Sequence, residues 1–254
     1  MSKVLERLAP FAFGGIVLLL WQVLVWTLSI PPYVLPGPLN IAEAYASDYA
    51  VLNWGLLSTL IVALTALAAA TTIGVALAIA MAASRLFRAA LQPWAVILQV
   101  TPVVAIAPLI IVWVNQPFAA LVVCATIVAF FPILSNTAAG LATTPPELLD
   151  LFRLNGATRW QILFLLSLPS ALPNFLTGLR ISGTLALVGA VVAEFVAGSG
   201  GFASGLAYRI IEASYRLEIP RMFAALFLLG ISGIAIYAAL GFLERFLLRR
   251  RNGT

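Results

Sequence analysis

The chain has 254 residues, of which 63% are hydrophobic and 9% are charged, and it carries a formal net charge of +5. Its mean hydropathy, +1.08, lies far above that of soluble domains, so the composition predicts an integral membrane protein. With one cysteine, Cys124, and no histidine, an intrachain disulfide is excluded and a His or thiolate metal site lacks ligands.

Six apolar stretches approach or exceed the roughly 20 helical residues needed to cross about 30 Å of hydrocarbon. We therefore predict an all-α membrane protein with six transmembrane helices in a single domain, residues 1–254. The predicted spans cover residues 11–30, 56–83, 94–114, 118–138, 172–197 and 222–246. The first is not predicted to be a cleaved signal, because Pro31 and Pro32 follow where a small-residue cleavage site would stand.

The loop after the first span begins with PPYVLPGP, and proline at this density holds the chain extended. A short helix is then predicted over Leu39–Tyr49 at the outer interface, either as a structural cap over the bundle or in contact with substrate. Span two is rich in Ala, Gly, Ser and Thr, which allow helices to approach closely in lipid. We expect it to have several helical neighbours.

Span three contains Pro102 and Pro108, which remove backbone hydrogen bonds and can kink or unwind a helix. A broken helix at membrane depth is tolerated when it is buried in protein or lines a cavity. The kink therefore indicates either a transport pathway or ordinary packing. On span four, Ser135 and Asn136 are polar and should face protein or water rather than lipid. These four residues are candidates for lining a pathway.

The distribution of basic residues predicts the orientation. The predicted inner segments hold ten of the fourteen Lys and Arg residues, whereas the outer segments hold only Arg209, Arg216 and Arg221. Arg180, near the inner end of span five, is the remaining one. Because Lys and Arg are enriched in cytoplasmic loops, both termini are predicted to be cytoplasmic. The arginines are scattered among loops instead of forming one basic face, so no nucleic-acid partner is predicted.

The segment between spans four and five, residues 144–169, contains two helix-start signals. Thr144 to Glu147 reads as a capping box with prolines in the first helical turn, and the helix can run through Arg153 and end at Asn155 and Gly156.

Thr158 to Gln161 is a second capping box, and Pro169 is predicted to end the helix that it starts. Two short helices on the cytoplasmic surface, joined by a glycine turn, indicate a docking element for a soluble partner.

Charged residues near the predicted outer surface fall into two groups. Glu194 lies in the last turns of span five, where an acid is costly unless it is paired or hydrated, so it is a candidate pathway residue or a residue at the outer headgroups. The following segment, Phe202–Ile219, is predicted to form an amphipathic surface helix in which Glu212 pairs with Arg209 and Arg216.

The sequence contains no catalytic constellation. Triads and metalloprotease helices need histidine, and no glycine-rich loop followed by Lys-Ser/Thr is present to hold ATP phosphates. Acids within the spans are limited to Glu194 and Glu244, whereas ion-coupled carriers place several ionisable groups near the midplane. We therefore predict a non-enzymatic transport protein that obtains its energy from a partner.

The cytoplasmic segment resembles the signature (EAA motif) of permease subunits of bacterial binding-protein-dependent ABC importers. That signature is E-A-A, three residues, Gly, nine residues, Ile, one residue and Leu-Pro. Here Asp150-Leu151-Phe152 stands at the first triplet, Gly156 at the glycine, Leu166 at the isoleucine and Leu168-Pro169 at the end. The spacing is kept, and the first triplet keeps its acid.

The resemblance extends over nearly the whole chain. The stretches TPVVAIAPLIIVW, FFPILSNTAAGL, LPSALPNFLTGLRIS and VVAEFVAGSGG are similar to the nitrate/sulfonate/taurine branch of these permeases, which includes importers of thiamine-pyrimidine precursors. One departure is Asn115-Gln-Pro117, where relatives usually carry an aromatic-Gly turn.

The resemblance implies a permease in the bacterial inner membrane that forms the pathway for a small solute and has several partners. These are a second permease copy, a dimer of cytoplasmic ABC ATPases, a periplasmic or lipid-anchored binding protein and the membrane lipid. No cofactor is bound by the chain itself, since ATP and Mg²⁺ bind to the partner ATPase.

In that picture residues 145–156 couple the permease to the ATPase, and the helix Pro145–Leu154 is a cytoplasmic coupling helix that sits in an ATPase cleft. Leu148, Leu151 and Phe152 recur at helical spacing as its apolar anchor. The full set of predicted coupling residues is Glu147, Leu148, Asp150, Leu151, Phe152, Arg153, Gly156, Ala157 and Thr158.

Three alternatives remain at the level of sequence. The segment 144–169 could be an amphipathic surface loop. The whole chain could be a self-sufficient secondary carrier or channel, whose transport would survive loss of an ATPase. An intramembrane enzyme is the weakest alternative, because acid–base and metal-binding groups are missing.

Overall fold

The computed structural model describes residues 3–198 and 204–252, and the elements within them are helical. In chain order they are α1 (Lys3–Thr27), α2 (Pro38–Ala83), α3 (Arg85–Val100), α4 (Val103–Val114), α5 (Pro117–Ala142), α6 (Pro146–Leu154), α7 (Arg159–Ile162), a π-helical turn (Leu163–Ser167), α8 (Leu168–Ala197), α9 (Leu206–Tyr215) and α10 (Ile219–Asn252). Among the described residues, five helices are long and apolar enough to cross a membrane, and α3 with α4 makes a sixth span if the two are one broken helix. The all-α membrane fold is confirmed with five or six spans.

The centre of the bundle is the contact between α5 and α8. A Cβ atom added at Gly178 would lie 2.7 Å from the Pro132 carbonyl oxygen, and one added at Gly189 would lie 2.8 Å from Cα of Ala125. The Ser182 hydroxyl donates to the Ala129 carbonyl at 2.6 Å. Lipid offers no hydrophobic drive for helix association, so small residues and a buried hydrogen bond hold these helices together.

The amino-terminal part of α2 is bent away from the rest of the helix at Asp48. Asp48 has φ −115° and ψ 19°, while the residues on both sides are helical. The predicted helix over Leu39–Tyr49 is therefore confirmed up to the kink, but it is not separated from span two by a loop. The predicted span 56–83 lies within one 46-residue helix.

The predicted third span, residues 94–114, is a broken helix in the structure. It is divided between α3 and α4, whose axes are bent by 101° at Thr101 and Pro102. Thr101 is extended, with φ −73° and ψ 120°, as the ring of a following proline requires. The predicted interruption at Pro102 is thus confirmed, whereas Pro108 lies within the continuous helix α4.

The turn between α4 and α5 occupies Asn115 and Gln116. Asn115 adopts the left-handed conformation, with φ 48°. The Gln116 side-chain oxygen accepts the Ala119 N–H at 2.8 Å, and Pro117 occupies the first turn of α5. Asn and Pro suit these positions because Asn tolerates positive φ and Pro lacks an N–H that would need a partner there.

The last two helices lie close to their predicted positions. The predicted surface helix over Phe202–Ile219 is observed as α9, Leu206–Tyr215, and residues 202 and 203 lie outside the described part of the chain. The sixth predicted span, 222–246, is contained in the 34-residue helix α10.

Candidate functional site

The predicted docking segment forms a separate short helix, α6, on the surface. None of its nine residues is buried. Glu147 lies in its first turn and Arg153 in its last, which places each charge at the favourable end of the helix dipole. Arg153 also pairs with Asp150 at 3.1 Å. Because both side chains are exposed, this ion pair contributes little to stability.

The helix α6 ends in a complete Schellman motif. The Ala157 N–H donates to the Phe152 carbonyl and the Gly156 N–H donates to the Arg153 carbonyl, both at 3.0 Å. Gly156 has φ +73°, which is the left-handed conformation that the motif needs. Two orphan carbonyls are thereby satisfied, and the direction of the chain after α6 is fixed.

The start of α6 differs from the prediction. Its N-cap is Pro145 and no side chain caps it, because the Thr144 hydroxyl donates back to the Leu141 carbonyl at 3.1 Å. The capping box predicted for Thr144 and Glu147 is therefore wrong. The hydroxyl bonds back to the last turn of α5 instead of accepting the Glu147 N–H, a local competition that is common for Ser and Thr.

The second capping box is confirmed. The Thr158 N–H donates to the Gln161 side-chain oxygen at 2.7 Å, and the Gln161 N–H donates to the Thr158 hydroxyl at 3.3 Å. Only residues 155–158 separate α6 from the next helical segment. Since both ends of this connection are capped, α6 has a defined orientation relative to α7.

The prediction that Pro169 ends the second helix is wrong. Residues Arg159–Ala197 form one membrane-length helix, in which the π-helical turn lies just before Pro169. The Leu168 N–H donates to the Leu163 carbonyl, an i to i−5 bond. In an ordinary α-helix the ring of Pro169 would clash with the carbonyl group four residues earlier. The wider π-helical turn makes room for this ring, so the helix continues through Pro169.

Three leucines of α6 are exposed: Leu148 by 41%, Leu151 by 53% and Leu154 by 86%. Phe152 and Ala157 are half-buried, whereas the other predicted coupling residues are exposed. The structure thus brings all nine predicted coupling residues together on α6 and the turn after it. An exposed apolar face in a polar segment is typical of a site that contacts another molecule.

Sequence reasoning missed two neighbours of this surface. Leu154 is its most exposed leucine, and Trp160 stacks on Phe164 with 6.0 Å between ring centroids. Both aromatic rings are exposed. Trp160 and Phe164 are four residues apart and follow the capping box, so the sequence could have predicted that they share one face of the helix. Trp at such a position is typical of the membrane–water interface.

The polar candidates on α5 lie beside α8. Asn136 donates to the Pro132 carbonyl at 2.8 Å, and its Cβ atom faces Gly178. Ser135 and Asn136 are both half-buried, whereas Pro102 and Pro108 are exposed.

Glu194 lies at a different level. It follows Gly178 by 16 residues on α8, which is about 24 Å along a helix. The structure therefore does not gather all five pathway candidates at one level of the bundle.

Glu194 is 3% exposed and belongs to a contact between three helices. The Thr59 hydroxyl of α2 donates to its carboxyl oxygens at 2.9 and 3.1 Å, and the Ala207 N–H of α9 donates to Oε2 at 3.1 Å. The Leu206 N–H in turn donates to the Thr59 hydroxyl at 2.8 Å. We call Thr59, Glu194, Gly205, Leu206 and Ala207 the α2–α8–α9 junction.

The junction satisfies the first two N–H groups of α9 with side chains from two other helices. An acid beside a helix N-terminus also interacts favourably with the helix dipole. Sequence reasoning selected Glu194 because a charge in a span is unusual. It could not find Thr59, which is one of several similar hydroxyl residues in span two.

A group of ion pairs holds the other end of α9. Glu212 pairs with Arg209 and with Arg216, each at 2.9 Å, as predicted. Arg221 at the start of α10 pairs with Glu218 at 2.8 Å and with Asp48, the kink residue of α2, at 3.3 Å. The hydrogen bond from Arg209, with the charges of the arginines, holds the pKa of Glu212 below its usual value.

Arg180 lies between α8 and α10. It pairs with Glu244 at 3.4 Å, and its guanidinium lies 3.8 Å from the centre of the Tyr237 ring. The three side chains connect two neighbouring helices by a charge pair and a cation–π contact.

Residues 70–252 match the protein family described as "binding-protein-dependent transport system inner membrane component". The chain belongs to this family. Its described helices and the short surface helix α6 are consistent with that membership.

Relatives support the assignment to this permease family over nearly the full length. The chain is 32% identical over 249 residues to the formylaminopyrimidine transport permease protein ThiX of Halalkalibacterium halodurans, covering 98% of each. It is 36% identical over 236 residues to the riboflavin transport system permease protein RibX of Chloroflexus aurantiacus, covering 92% of this chain and 87% of that protein. Permeases named for aliphatic sulfonates and for taurine are also similar, so the predicted branch of the family is confirmed.

A solved structure shares the fold. It is the crystal structure of an amino acid ABC transporter with histidines, which matches with a TM-score of 0.66 and 19% identity, covering 80% of this chain and 97% of that one. Together these findings make the chain a permease subunit of a binding-protein-dependent importer. They do not favour a self-sufficient carrier or channel.

Proposed function

We propose that α6 is the helix through which this permease is coupled to a cytoplasmic ABC ATPase. The observation that carries the proposal is a nine-residue helix with no buried residue, which presents Leu148, Leu151 and Leu154 outward. Fully burying a leucine is worth about 1.5–3 kcal/mol, so a cleft that covers these side chains would gain several kcal/mol. Exposed leucines flanked by charged residues match the apolar centre and polar rim of a protein interface.

The connection between α6 and the membrane-spanning helix supports transmission of movement. The Schellman motif fixes the end of α6, and the capping box at Thr158 fixes the beginning of α7. From Arg159 the helix continues to Ala197. A rigid movement of α6 on ATP-driven closure of the ATPase would therefore turn or tilt α8. The chain itself would be non-catalytic, and ATP with Mg²⁺ would be hydrolysed on the partner.

The complete transporter, in this proposal, lies in the bacterial inner membrane with both permease termini in the cytoplasm. Two permease copies form the pathway, two ATPases bind from the cytoplasm, and a periplasmic or lipid-anchored binding protein delivers a small solute. Pro102, Pro108, Ser135 and Asn136 are the proposed pathway-lining residues. Glu194 acts elsewhere, because its carboxyl group faces protein at the α2–α8–α9 junction.

The experiment compares two leucine-to-aspartate variants in purified transporter. Leu151→Asp places a charge on the exposed face of α6. The matched control, Leu217→Asp, changes a leucine in the connection between α9 and α10 that is 74% exposed and has φ +58°, a conformation that Asp tolerates. Recovery of the ATPase with each tagged permease is measured after membrane extraction.

Leu151→Asp should reduce ATPase recovery by about tenfold or more, because a charge buried without a partner in an interface is strongly unfavourable. Leu217→Asp should recover the ATPase at the wild-type level, and both variants should accumulate normally in the membrane. Equal recovery with the two variants would exclude α6 as the coupling helix.

A further inference from the structure

The α2–α8–α9 junction lies at the opposite end of a long helix from the proposed ATPase contact. Residues Arg159–Ala197 form one helix, and Glu194 is 35 residues after Arg159. At 1.5 Å per residue this separation is about 50 Å, more than the roughly 30 Å thickness of the hydrocarbon core. The helix that begins beside α6 therefore carries, near its other end, the carboxyl group that binds α9.

The junction has room for no side chain at position 205. A Cβ atom added to Gly205 would overlap both oxygens of the Glu194 carboxyl group. Gly205 is the N-cap of α9 and has φ −78°, so the glycine is not needed for its backbone conformation. Glycine is needed here because the Glu194 carboxyl group lies against the start of α9, in the space that a Cβ atom would occupy.

The contact is also fully enclosed. Thr59, Leu206 and Ala207 are 0% exposed, and a Cβ atom at Gly55 would lie 3.4 Å from Cα of Leu206. Buried polar groups with complete hydrogen bonding specify one arrangement, because every alternative leaves a donor or acceptor unsatisfied. The start of α9 is thus held in one position relative to α2 and α8.

We propose that Glu194 is a positioning residue that ties α9 to α8, so that movement of α8 driven at α6 is transmitted to α9. The proposal rests on the proposed coupling function of α6. It assigns Glu194 a role in communication between the two ends of the permease, in place of contact with the transported solute.

The ion pairs of α9 extend this connection to two further helices. Arg209 and Glu212 on α9 lie beside Arg221 of α10, with 4.0 Å between Arg221 and Glu212. Arg221 reaches Asp48 at the kink of α2. A displacement of α9 would therefore move a surface formed by α9, the start of α10 and the first part of α2. This is the end of the permease that would face the binding protein in the proposed orientation.

A simpler role for Glu194 is to cap α9, and a double variant separates the two roles. Glu194→Ala removes both the cap and the tie. Adding Gly205→Ser places a hydroxyl in the space that the carboxyl group vacates, and serine at an N-cap accepts the N–H groups of the first turn. The double variant therefore restores a cap to α9 without a hydrogen bond to α8.

The experiment uses the permease with its ATPase and loaded binding protein in lipid nanodiscs. Two quantities are measured: hydrogen exchange of the first amides of α9, and the stimulation of ATP hydrolysis by the loaded binding protein. Glu194→Ala should lower amide protection and reduce stimulation about fivefold or more, the lower end of typical coupling between sites. In Glu194→Ala with Gly205→Ser, protection should return and stimulation should stay low.

Two results would overturn the proposal. Stimulation that returns together with the cap would make Glu194 a helix cap only, and wild-type stimulation in Glu194→Ala would exclude any role in communication. If Glu194→Ala alone does not accumulate in the membrane, the double variant is compared with the wild type, because it keeps a cap on α9. Wild-type stimulation in the double variant would then exclude a role in communication.

ATPase recovery distinguishes failure of this inference from failure of the proposed function. Both Glu194 variants should recover the ATPase like the wild type, since α6 is unchanged. Suppose that ATPase recovery is normal with Glu194→Ala and lowered by Leu151→Asp. If Glu194→Ala then retains full stimulation of ATP hydrolysis, only the tie is wrong. If Leu151→Asp does not affect recovery, the coupling role of α6 is wrong.

Discussion

At the scale of single residues, Gly156 shows how a backbone requirement can determine a docking surface. Its φ of +73° is needed for the Schellman motif, and an added Cβ atom would meet nothing within 4 Å. Space is therefore available for a side chain, and only the left-handed conformation restricts the residue type. The direction of the chain between α6 and α7 depends on that conformation.

Replacing Gly156 with valine and with asparagine tests this requirement. Gly156→Val should cost about 1–3 kcal/mol locally, because β-branched residues avoid positive φ. If the whole cost reduces the free energy of ATPase binding, ATPase recovery decreases by roughly 5- to 150-fold. Gly156→Asn is the control, since asparagine tolerates this conformation and should stay close to wild type. Normal recovery with Gly156→Val would contradict a fixed turn.

Glu212 provides a second prediction at this scale. The Arg209 hydrogen bond and the surrounding arginine charges hold its pKa below the usual value. Because the folded-state pKa is lowered, its contribution to stability is present above the ordinary glutamate value of about 4.3 and is lost as the pH falls through the lowered pKa.

Glu212→Gln should therefore lower the apparent melting temperature at neutral pH and lose part of the acid sensitivity of the wild type. The measurement is thermal unfolding in nanodiscs between about pH 3 and 7, across the titration range of carboxyl groups. Glu43→Gln, which changes an exposed carboxyl group on α2, is the control and should follow the wild-type pH dependence. Parallel pH curves for wild type and Glu212→Gln would contradict a stabilising role.

At the scale of helices, the break between α3 and α4 is the largest difference from the sequence prediction. Proline at position 102 identified the place of the interruption, but not its angle. The angle depends on where α4 packs, with Ala107 and Ile110 buried against the bundle core. A local pattern can therefore predict that a helix stops, whereas the direction of the next helix is a property of the tertiary contacts.

Distances between spin labels test the 101° bend. Labels at positions 89 and 112 would be about 35 Å apart on a straight helix and about 21 Å apart with the observed bend. The labels are introduced in Cys124→Ala, diluted with unlabelled permease to suppress distances between copies. Positions 50 and 73 on α2 are a control with the same sequence separation on one side of the kink, and should give about 35 Å. A distance near 35 Å for positions 89 and 112 would contradict the bend.

The same contrast explains which parts of the candidate site were predictable. The Thr158 capping box and the Gly156 turn involve hydrogen bonds over three to five residues, so their residue types are visible in the sequence. The Thr59–Glu194 contact joins residues 135 positions apart, and no local pattern marks it. The prediction failed locally at Thr144, whose hydroxyl donates to the Leu141 carbonyl instead of accepting the Glu147 N–H. It also failed at Pro169, where a π-helical turn accommodates the proline ring.

At the scale of the whole molecule, the arginines of the two predicted sides differ in their surroundings. Arg209, Arg216 and Arg221 all pair with acids, namely Glu212, Glu218 or Asp48. Their charge is thus balanced within the group. The ten basic residues on the other predicted side outnumber the acids there, since that side includes the Arg-rich end of α10. The orientation rule counts Lys and Arg residues rather than net charge, so the ten-to-three distribution supports the predicted orientation whether or not the arginines are paired.

This asymmetry leads us to expect α6 in the cytoplasm and the end of α9 outside. Leu154 and Tyr215 suit a test because they are 86% and 87% exposed, respectively, and lie beyond opposite ends of α8. Leu154→Cys and Tyr215→Cys are made in Cys124→Ala, which removes the buried native thiol. In membranes from cells that make the permease without its ATPase, a membrane-impermeant maleimide applied to spheroplasts should label only Tyr215→Cys, whereas inverted membrane vesicles should show labelling only of Leu154→Cys. Detergent-solubilised protein should react at both positions, which controls for intrinsic thiol reactivity. Labelling of Leu154→Cys from the outside would reverse the orientation, and it would place α6 where no cytoplasmic ATPase could reach it.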